Sequence, residues 1–293
     1  MQKSQPHDGD NSTIRADLHL HSCYSDGEYQ PRRLIELAVQ SGLEIISLTD
    51  HDSINGLPEA ARAAEKYGCR LIPGVELEAF FETNQAAYSL HILGYNIDYT
   101  HPPLKQTLKK IHNTRKIRAR KILDKLAALD VELAMENVME FARGDSIGRV
   151  HIAQALLKSG FVENIEAAFD RYIGDHKPAY VPKDVHNPRQ IIKLIHEAGG
   201  LAFWAHPCYT GNDTLIHPLK EMGLDGLECY HREFNSFQTR HYLELAHKHN
   251  LVVSGGSDFH GTLDEDFELG EWWLELPVSN PLISEKKLTL SSS

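Results

Sequence analysis

The chain has 293 residues, of which 41% are hydrophobic and 24% are charged, and this composition excludes a collagen-like, wholly disordered or coiled-coil protein. Its longest apolar runs, such as LAFWA and LVVSG, have the length of strands, so no membrane-spanning segment is expected. The net charge of −11 argues against a general nucleic-acid coat protein, because such proteins bind phosphates through a basic surface.

The start of the chain and its cysteines bear on where the protein works. The first 13 residues are polar and contain no apolar stretch that could act as a secretory signal. The four cysteines include no CxxC pair, so neither a zinc ribbon nor a redox pair is indicated. Isolated reduced thiols suit the cytosol, and we therefore expect a cytoplasmic protein.

The first half of the chain alternates strand-like and helix-like segments. Residues 14–20 form an apolar run typical of a strand, and a helix is predicted to begin at Pro31 and to stop at Gly42. A second helix is predicted over residues 57–67, and three more strands are predicted at residues 44–48, 71–77 and 88–93. From residue 104 to about residue 173 the sequence shows only helical periodicity.

Strand and helix alternate again after residue 186. A helix is predicted to begin after Asn187-Pro188 and to end at Gly199-Gly200. Further helices are predicted at residues 213–222 and 234–250, and further strands at residues 201–205, 226–230, 251–254 and 272–276. Repeated strand–helix units indicate a parallel sheet, and this many of them indicate an α/β barrel. The middle helical block is then an insertion that caps one end of the barrel.

Polar side chains with metal-ligating chemistry follow most of these strands. In a parallel barrel every strand delivers its C-terminal end to the same face, where active sites are built. Six histidines and three carboxylates would therefore converge: His19, His21, His51, His91, His206, His260, Asp26, Glu76 and Asp258. Imidazole and carboxylate without thiolate are ligands of hard-to-borderline divalent ions. A lone histidine would indicate a hydrogen-bonded core residue, but six at successive strand ends favour a metal site, because unpaired polar groups collected in one place are costly.

The order of these motifs resembles that of one known family. The segments DLHLHS, SDG, LTDHD, GVE, HILG, AHP and GSDFH resemble the polymerase-and-histidinol-phosphatase (PHP) superfamily of metal-dependent phosphoesterases, over roughly residues 14–98 and 186–275. The resemblance implies a distorted (β/α)7 TIM-like barrel with two or three divalent metal ions, manganese foremost and iron or zinc as alternatives. We expect a first barrel part at residues 14–99, an inserted helical cap at residues 100–185, and a second barrel part at residues 186–280.

The resemblance also assigns roles to the nine side chains. His19, His21, Glu76 and Asp258 would hold one metal and form the catalytic core. Glu76 would bridge to a second metal completed by His91 and His206, while Asp26, His51 and His260 would hold a third. Asp17, Asp50 and Asp52 are expected to orient imidazoles, with a plain turn role as the alternative, equally weighted for Asp52. The metals would attract phosphate into an acidic protein and generate the hydroxide that attacks phosphorus.

The start of the predicted cap is unusually basic. Residues 101–123 contain eight Lys or Arg and no Asp or Glu. Arg115 and Arg118 occupy positions where the apolar face of the helix should continue. We expect that this helix overhangs the metals and that both arginines bind a second anionic group of the substrate. The alternative is a helix that rolls, so that both arginines reach water.

Two further segments are candidates for substrate contact. Residues 148–151 would open a helix, whose N-terminus favours an anion. An Arg in the long helix and an Arg-x-His at the next helix start resemble the subfamily of nucleoside 3′,5′-bisphosphate phosphatases and 5′-to-3′ exoribonucleases. This implies substrate contacts for Arg115, Arg149 and His151, and His151 is also a candidate proton donor. Lys177 is a further candidate for substrate binding, with a plain turn as the alternative.

We therefore predict a phosphoesterase that removes phosphate from nucleoside 3′,5′-bisphosphates, cleaves short RNA from its 5′ end, or does both. Its partner would be a phosphorylated nucleotide or short RNA, with no membrane and no stable nucleic-acid complex. Three alternatives stay open: a histidinol-phosphate phosphatase, a non-catalytic metal-binding regulatory module, and a metal-dependent amidohydrolase. The basic insertion argues against the first, the full set of nine ligands against the second, and Glu76 with the SDFH segment against the third.

Overall fold

A computed structural model describes residues 13–83, 86–142, 146–183, 186–261 and 267–283. These ranges contain eight strands: β1 Thr13–Leu20, β2 Ile45–Leu48, β3 Arg70–Glu82, β4 Ala87–Tyr95, β5 Leu201–Trp204, β6 Gly226–His231, β7 Val252–Gly256 and β8 Leu274–Pro277. The polar start of the chain, on which the expectation of no secretory signal depends, lies outside the described ranges, as do residues 184 and 185, where the predicted cap ends.

The eight strands form one curled sheet in the order β7-β6-β5-β4-β3-β2-β1-β8. The predicted α/β barrel is confirmed, and two features depart from a simple parallel (β/α)7 arrangement. β4 runs antiparallel to both β3 and β5, and β8 adds an eighth strand antiparallel to β1. The remaining neighbours pair in parallel.

The sheet is nearly closed where its first and seventh strands meet. The segment after β7 joins β1 through a parallel bridge between Leu20 and Phe259. Here the His21 N–H donates to the Phe259 carbonyl over 3.0 Å, and the Asp258 N–H donates to the His19 carbonyl over 2.9 Å. These bonds bring chain segments about 240 residues apart to the same rim of the barrel.

Helices cover the outside of the barrel and build the block between β4 and β5. They are α1 Pro31–Gln40, α2 Leu57–Tyr67, α3 Pro102–Ala127, α4 Met135–Met139, α5 Arg149–Lys158, α6 Ile165–Ala168, α7 Pro188–Glu197, α8 Pro207–Thr210, α9 Ile216–Glu221 and α10 Ser236–Lys248. Their predicted boundaries follow capping chemistry. Pro31 begins α1, Gly68 ends α2 with a left-handed φ of 79°, and the Asn187 side chain accepts a hydrogen bond at the start of α7. Of the described helices, none is both long and apolar enough to span a membrane.

The long helix α3 takes part in two hydrophobic clusters. Leu104, Leu108 and Ile111 pack into the main barrel cluster. Ile122 and Leu126 pack into a second cluster formed with α4, α5 and α6. The apolar stripe therefore changes partner near the middle of the helix, which is where Arg115 and Arg118 lie.

Candidate metal centre

The nine side chains expected to hold metals lie together at one end of the barrel. His19, Glu76 and His91 belong to strands β1, β3 and β4, and the other six lie in loops after β1, β2, β5 and β7. Because β4 is antiparallel, His91 reaches the site from inside its strand and not from a C-terminal end. His206 and Asp258 have φ values of 27° and 55°, so the loops after β5 and β7 turn sharply just where a side chain must enter the site.

The first cluster contains His19, His21, Glu76 and Asp258. Nε2 of His19 lies 3.1 Å from Oε2 of Glu76 and 3.3 Å from Oδ1 of Asp258. Nε2 of His21 lies 3.2 Å and 3.1 Å from the same two oxygens. Ligands bonded to one ion at about 2.1 Å and at right angles are about 3 Å apart, so these spacings fit a shared divalent ion.

The other carboxylate oxygen of Glu76 serves a second group. Oε1 lies 2.8 Å from Nδ1 of His91 and 3.1 Å from Nε2 of His206. His51 also approaches Glu76, with Nδ1 3.0 Å from Oε2. Glu76 thus stands between two groups of imidazoles, in the position expected for a bridging ligand.

The third group surrounds Asp26. Its carboxylate lies 3.4 Å from Nε2 of His260, 3.7 Å from Nε2 of His51 and 3.8 Å from Nδ1 of His21. These contacts are longer than those around Glu76, and Asp26 is more exposed than Glu76. The third group is therefore the loosest and the nearest to solvent.

The electrostatics of the site make it a strong cation acceptor. Burial disfavours the anion of Glu76, but His51, His19 and His91 outweigh burial and hold the pKa of its carboxyl well below the usual value. Burial likewise disfavours the cation of His260, yet Asp26 and Asp258 raise the pKa of its imidazole to about 10. The carboxylates raise the pKa of some imidazoles here, such as His19 and His91, whereas burial lowers the pKa of His51 and His206.

Several buried polar atoms at the centre have no hydrogen-bond partner in the described structure. They are Nε2 of His19, Nε2 of His21, Oδ1 of Asp26 and Oε2 of Glu76. Orphaned buried groups cost free energy, and divalent cations would satisfy all four at once. Donor type, spacing and orphaned atoms agree, so these residues fit divalent metal ions.

The three aspartates expected to orient imidazoles make other contacts. Asp17 accepts from the Ser257 N–H over 2.9 Å, and Asp50 accepts from the N–H and hydroxyl of Ser22 over 2.7 Å each. Asp52 forms a two-point ion pair with Arg115, whose Nε donates over 2.8 Å. Asp17 and Asp52 thus hold backbone and an arginine in place, while Asp50 also accepts from the Ser25 hydroxyl, which lies 3.4 Å from Nδ1 of His21.

A cavity of about 400 Å³ opens beside the metal centre, under the helical block. Its lining includes Asp26, His51 and His91 from the metal centre and Arg115, Arg118 and Arg149 from the helices. The predicted basic helix therefore does overhang the site. Burial, followed by the charges of Arg149 and Arg115, lowers the pKa of Arg118 to about 10. This is expected where cations lie close together, and a bound anion would offset their repulsion.

His151 and Lys177 are placed differently from the arginines. Nδ1 of His151 accepts from the Gly148 N–H over 3.0 Å, and the ring is almost fully buried. Burial lowers the pKa of this imidazole. Lys177 is exposed in a turn and is not among the residues that line the cavity, where Lys183 lies instead.

Sequence reasoning missed three residues of the site. Glu228, in β6, accepts from Nδ1–H of His19 over 3.0 Å and from the His206 N–H over 2.6 Å. His231 is buried with Nε2 3.8 Å from Asp258, and Lys183 pairs with Glu78 at the cavity wall. A signal for Glu228 was available, because the Gly-apolar-Glu pattern of β3 (residues 74–76) recurs in β6 (residues 226–228).

Comparison with known proteins agrees with this geometry. The PHP domain model matches residues 17–198. A 5′-3′ exoribonuclease of Haemophilus influenzae is 36% identical across 92% of this chain and 96% of its own length. A 3′,5′-nucleoside bisphosphate phosphatase of Chromobacterium violaceum is 32% identical across 92% of this chain and 95% of its own length. A solved amidohydrolase structure from C. violaceum, with bound sulfate and no metal, superposes with a TM-score of 0.79 at 32% identity, covering 91% of this chain and 92% of that one.

Proposed function

Because the chain belongs to the PHP domain family, we propose that it is a metal-dependent phosphoesterase that hydrolyses phosphate esters of nucleotides. The substrates are nucleoside 3′,5′-bisphosphates, the 5′ end of short RNA, or both. The relatives named for these two activities match nearly the whole chain, which supports the assignment.

Three groups of residues would hold the metals. His19, His21, Glu76 and Asp258 form the first, Glu76, His91 and His206 the second, and Asp26, His51 and His260 the third. We propose manganese as the ion, with iron or zinc as alternatives, since imidazole and carboxylate donors accept all three. Divalent ions bound here would lower the pKa of water and polarise a phosphoryl oxygen.

The protein's own side chains supply positioning. Glu228 fixes the His19 ring by accepting from Nδ1–H, which leaves Nε2 facing the centre. Asp52 fixes the guanidinium of Arg115 and neutralises most of its charge. Arg149 pairs with Asp175, whose Oδ1 lies 2.6 Å from its NH1 and which also lines the cavity. Arg118 then provides the positive charge at the place where a second phosphate of the substrate would lie.

One observation carries the proposal: the imidazole–carboxylate centre and three arginines open into the same cavity. A substrate with two separated anionic groups would engage both. Histidinol phosphate has one phosphate and a cationic amine, so the arginines would repel part of it.

The test is a steady-state assay of the Mn²⁺-loaded protein on adenosine 3′,5′-bisphosphate, a 5′-phosphorylated RNA oligomer and histidinol phosphate. We expect the highest kcat/KM on one of the two nucleotide substrates. Glu76→Gln should lower kcat by at least about 10³-fold, since metal charge stabilisation is worth several kcal/mol. A preference for histidinol phosphate, or full turnover by E76Q, would refute the proposal.

A further inference from the structure

A second cavity, of about 490 Å³, is lined by residues of α3 and of the loop that follows β2. We call it the lysine cleft; it is lined chiefly by Lys105, Lys109, Lys116, His112, Asn55 and Leu108. Its described lining contains three lysines and no carboxylate, in a protein whose net charge is −11. The cleft is therefore a local basic surface on an acidic protein.

Helix geometry arranges the three lysines in a row. At 100° per residue, Lys105, Lys109 and Lys116 lie within about 40° of one another around the axis of α3. They extend over about 16 Å along the helix, at 1.5 Å per residue. Around the helix axis, Arg115 lies about 80–120° and Arg118 about 140–180° from these lysines, and both arginines line the metal cavity. The same helix thus presents cations to two cavities.

A single residue, Asp52, lies between the two cavities. Nε2–H of His112, which lines the lysine cleft, donates to the carbonyl of Asp52 over 2.7 Å. The carboxylate of Asp52 in turn holds Arg115, which lines the metal cavity. The two cavities are therefore neighbours, separated here by Asp52 and the two side chains that it binds.

We propose that the lysine cleft binds the phosphodiester backbone of an RNA substrate, on the 3′ side of the nucleotide at the metal centre. This inference rests on the proposed function. A row of cations matches the repeating charge of a polynucleotide, and grooves of this type follow the backbone of single strands. The lining also includes amide and imidazole groups and apolar side chains, but its charged groups are three ammonium groups, which would hold phosphates and carry no sequence information.

The test compares two double variants of the full chain with Mn²⁺ present. K105E/K109E reverses two charges in the cleft, and K110E/K121E reverses two exposed lysines on the other side of α3 as a matched control. Binding is measured by fluorescence anisotropy with a labelled, 5′-phosphorylated RNA decamer carrying hydrolysis-resistant phosphorothioate linkages. Hydrolysis of adenosine 3′,5′-bisphosphate is measured in parallel.

We expect K105E/K109E to weaken decamer binding at least about tenfold at low salt, and to reduce the slope of log Kd against log salt by about 1.4, or 0.7 for each lost contact. The control should stay within about twofold, and both variants should keep the wild-type kcat/KM on the bisphosphate.

Three results would overturn the inference. They are equal weakening by both double variants, unchanged binding by K105E/K109E, and equally tight binding of an acidic decapeptide that displaces the RNA. A wild-type protein that hydrolyses no phosphate ester would refute the proposed function separately, because the binding comparison does not depend on turnover.

Discussion

Arg115 and Arg118 are three residues apart on α3, yet their surroundings give them different roles. Arg115 is held by Asp52, and its NH1 also donates to the Ile147 carbonyl over 3.3 Å. Within the described part of the chain, Arg118 contacts a neutral group: its Nε donates to the Val181 carbonyl over 2.8 Å. The charge of Arg118 is thus the one left for a substrate anion.

Replacing Arg118 with Met should raise KM for adenosine 3′,5′-bisphosphate about 10- to 100-fold, since a hydrogen bond to a charged group is worth about 1.5–3 kcal/mol. KM for 4-nitrophenyl phosphate, which has one phosphate, should change little. Arg120, exposed on the same helix, provides the control variant R120M. Equal changes in KM for both substrates would contradict a role in binding a second anion.

Glu228 lines neither of the two cavities, yet its carboxylate contacts residues from two groups of the metal centre. Its carboxylate accepts hydrogen bonds from the His19 imidazole and from the His206 backbone N–H, and both residues are expected ligands. Glu228→Gln should weaken Mn²⁺ affinity about 10- to 100-fold, because groups that orient a ligand matter nearly as much as the ligand. Isothermal titration with Mn²⁺ measures this. Glu221→Gln, at an exposed position, is the control, and an unchanged affinity in E228Q would exclude the positioning role.

At this scale the sequence predicts groups that stand in motifs. The spacing of two residues identifies His19 and His21 as candidate ligands, and likewise Asp258 and His260. Glu228 belongs to no such pair, and its signal is the recurrence at residues 226–228 of the Gly-apolar-Glu pattern of residues 74–76. The partner of Asp52 lies 63 residues away on α3, so local sequence could not identify it. Lys177 and Lys183 lie in a stretch without periodicity, where nothing in the sequence fixes which lysine faces the cavity.

At the scale of elements, most helices and strands follow from caps and periodicity, whereas strand direction does not. The sequence of β4 alternates in the same way whichever way it runs, and its direction is set by a tight connection from β3 and by pairing with β5. The sequence also predicts only part of the role of α3. Its apolar stripe is interrupted by arginines because the helix leaves the barrel cluster and enters the second cluster at that point.

Close packing of β7 against β1 gives a prediction at Gly256. A Cβ there would lie 2.1 Å from Cβ of His19 and 2.4 Å from its backbone N. Gly256→Ala should therefore displace His19, destabilise the protein by about 1–3 kcal/mol or more, and reduce Mn²⁺ binding. Gly255→Ala is a matched control, because its Cβ would collide with Tyr230 and not with a ligand. Thermal melts with and without Mn²⁺ distinguish them, and normal metal loading in G256A would contradict the prediction.

For the whole molecule, metal binding and stability should be linked. The folded chain gathers nine ligand groups that the unfolded chain scatters, so ions bind mainly the folded state. Mn²⁺ at about one thousand times its Kd should add about 4 kcal/mol to the free energy of unfolding, and EDTA should remove that gain. Calorimetry at graded Mn²⁺ concentrations measures the effect. A melting temperature that does not depend on Mn²⁺ would show that the centre holds no ion tightly.

The contact between β1 and the segment after β7 also determines the order in which parts of the fold can form during synthesis. His19 and His21 leave the ribosome early, but the backbone bonds that fix them come from Asp258 and Phe259. Strand β8, which pairs with the edge of β1 that lies opposite β2, is translated later still. The edge of β1 that does not pair with β2 must therefore stay open until the segment after β7 and strand β8 have been made. Loss of the residues after β7 would leave an open, aggregation-prone edge on β1 and would remove Asp258 and His260 from the site.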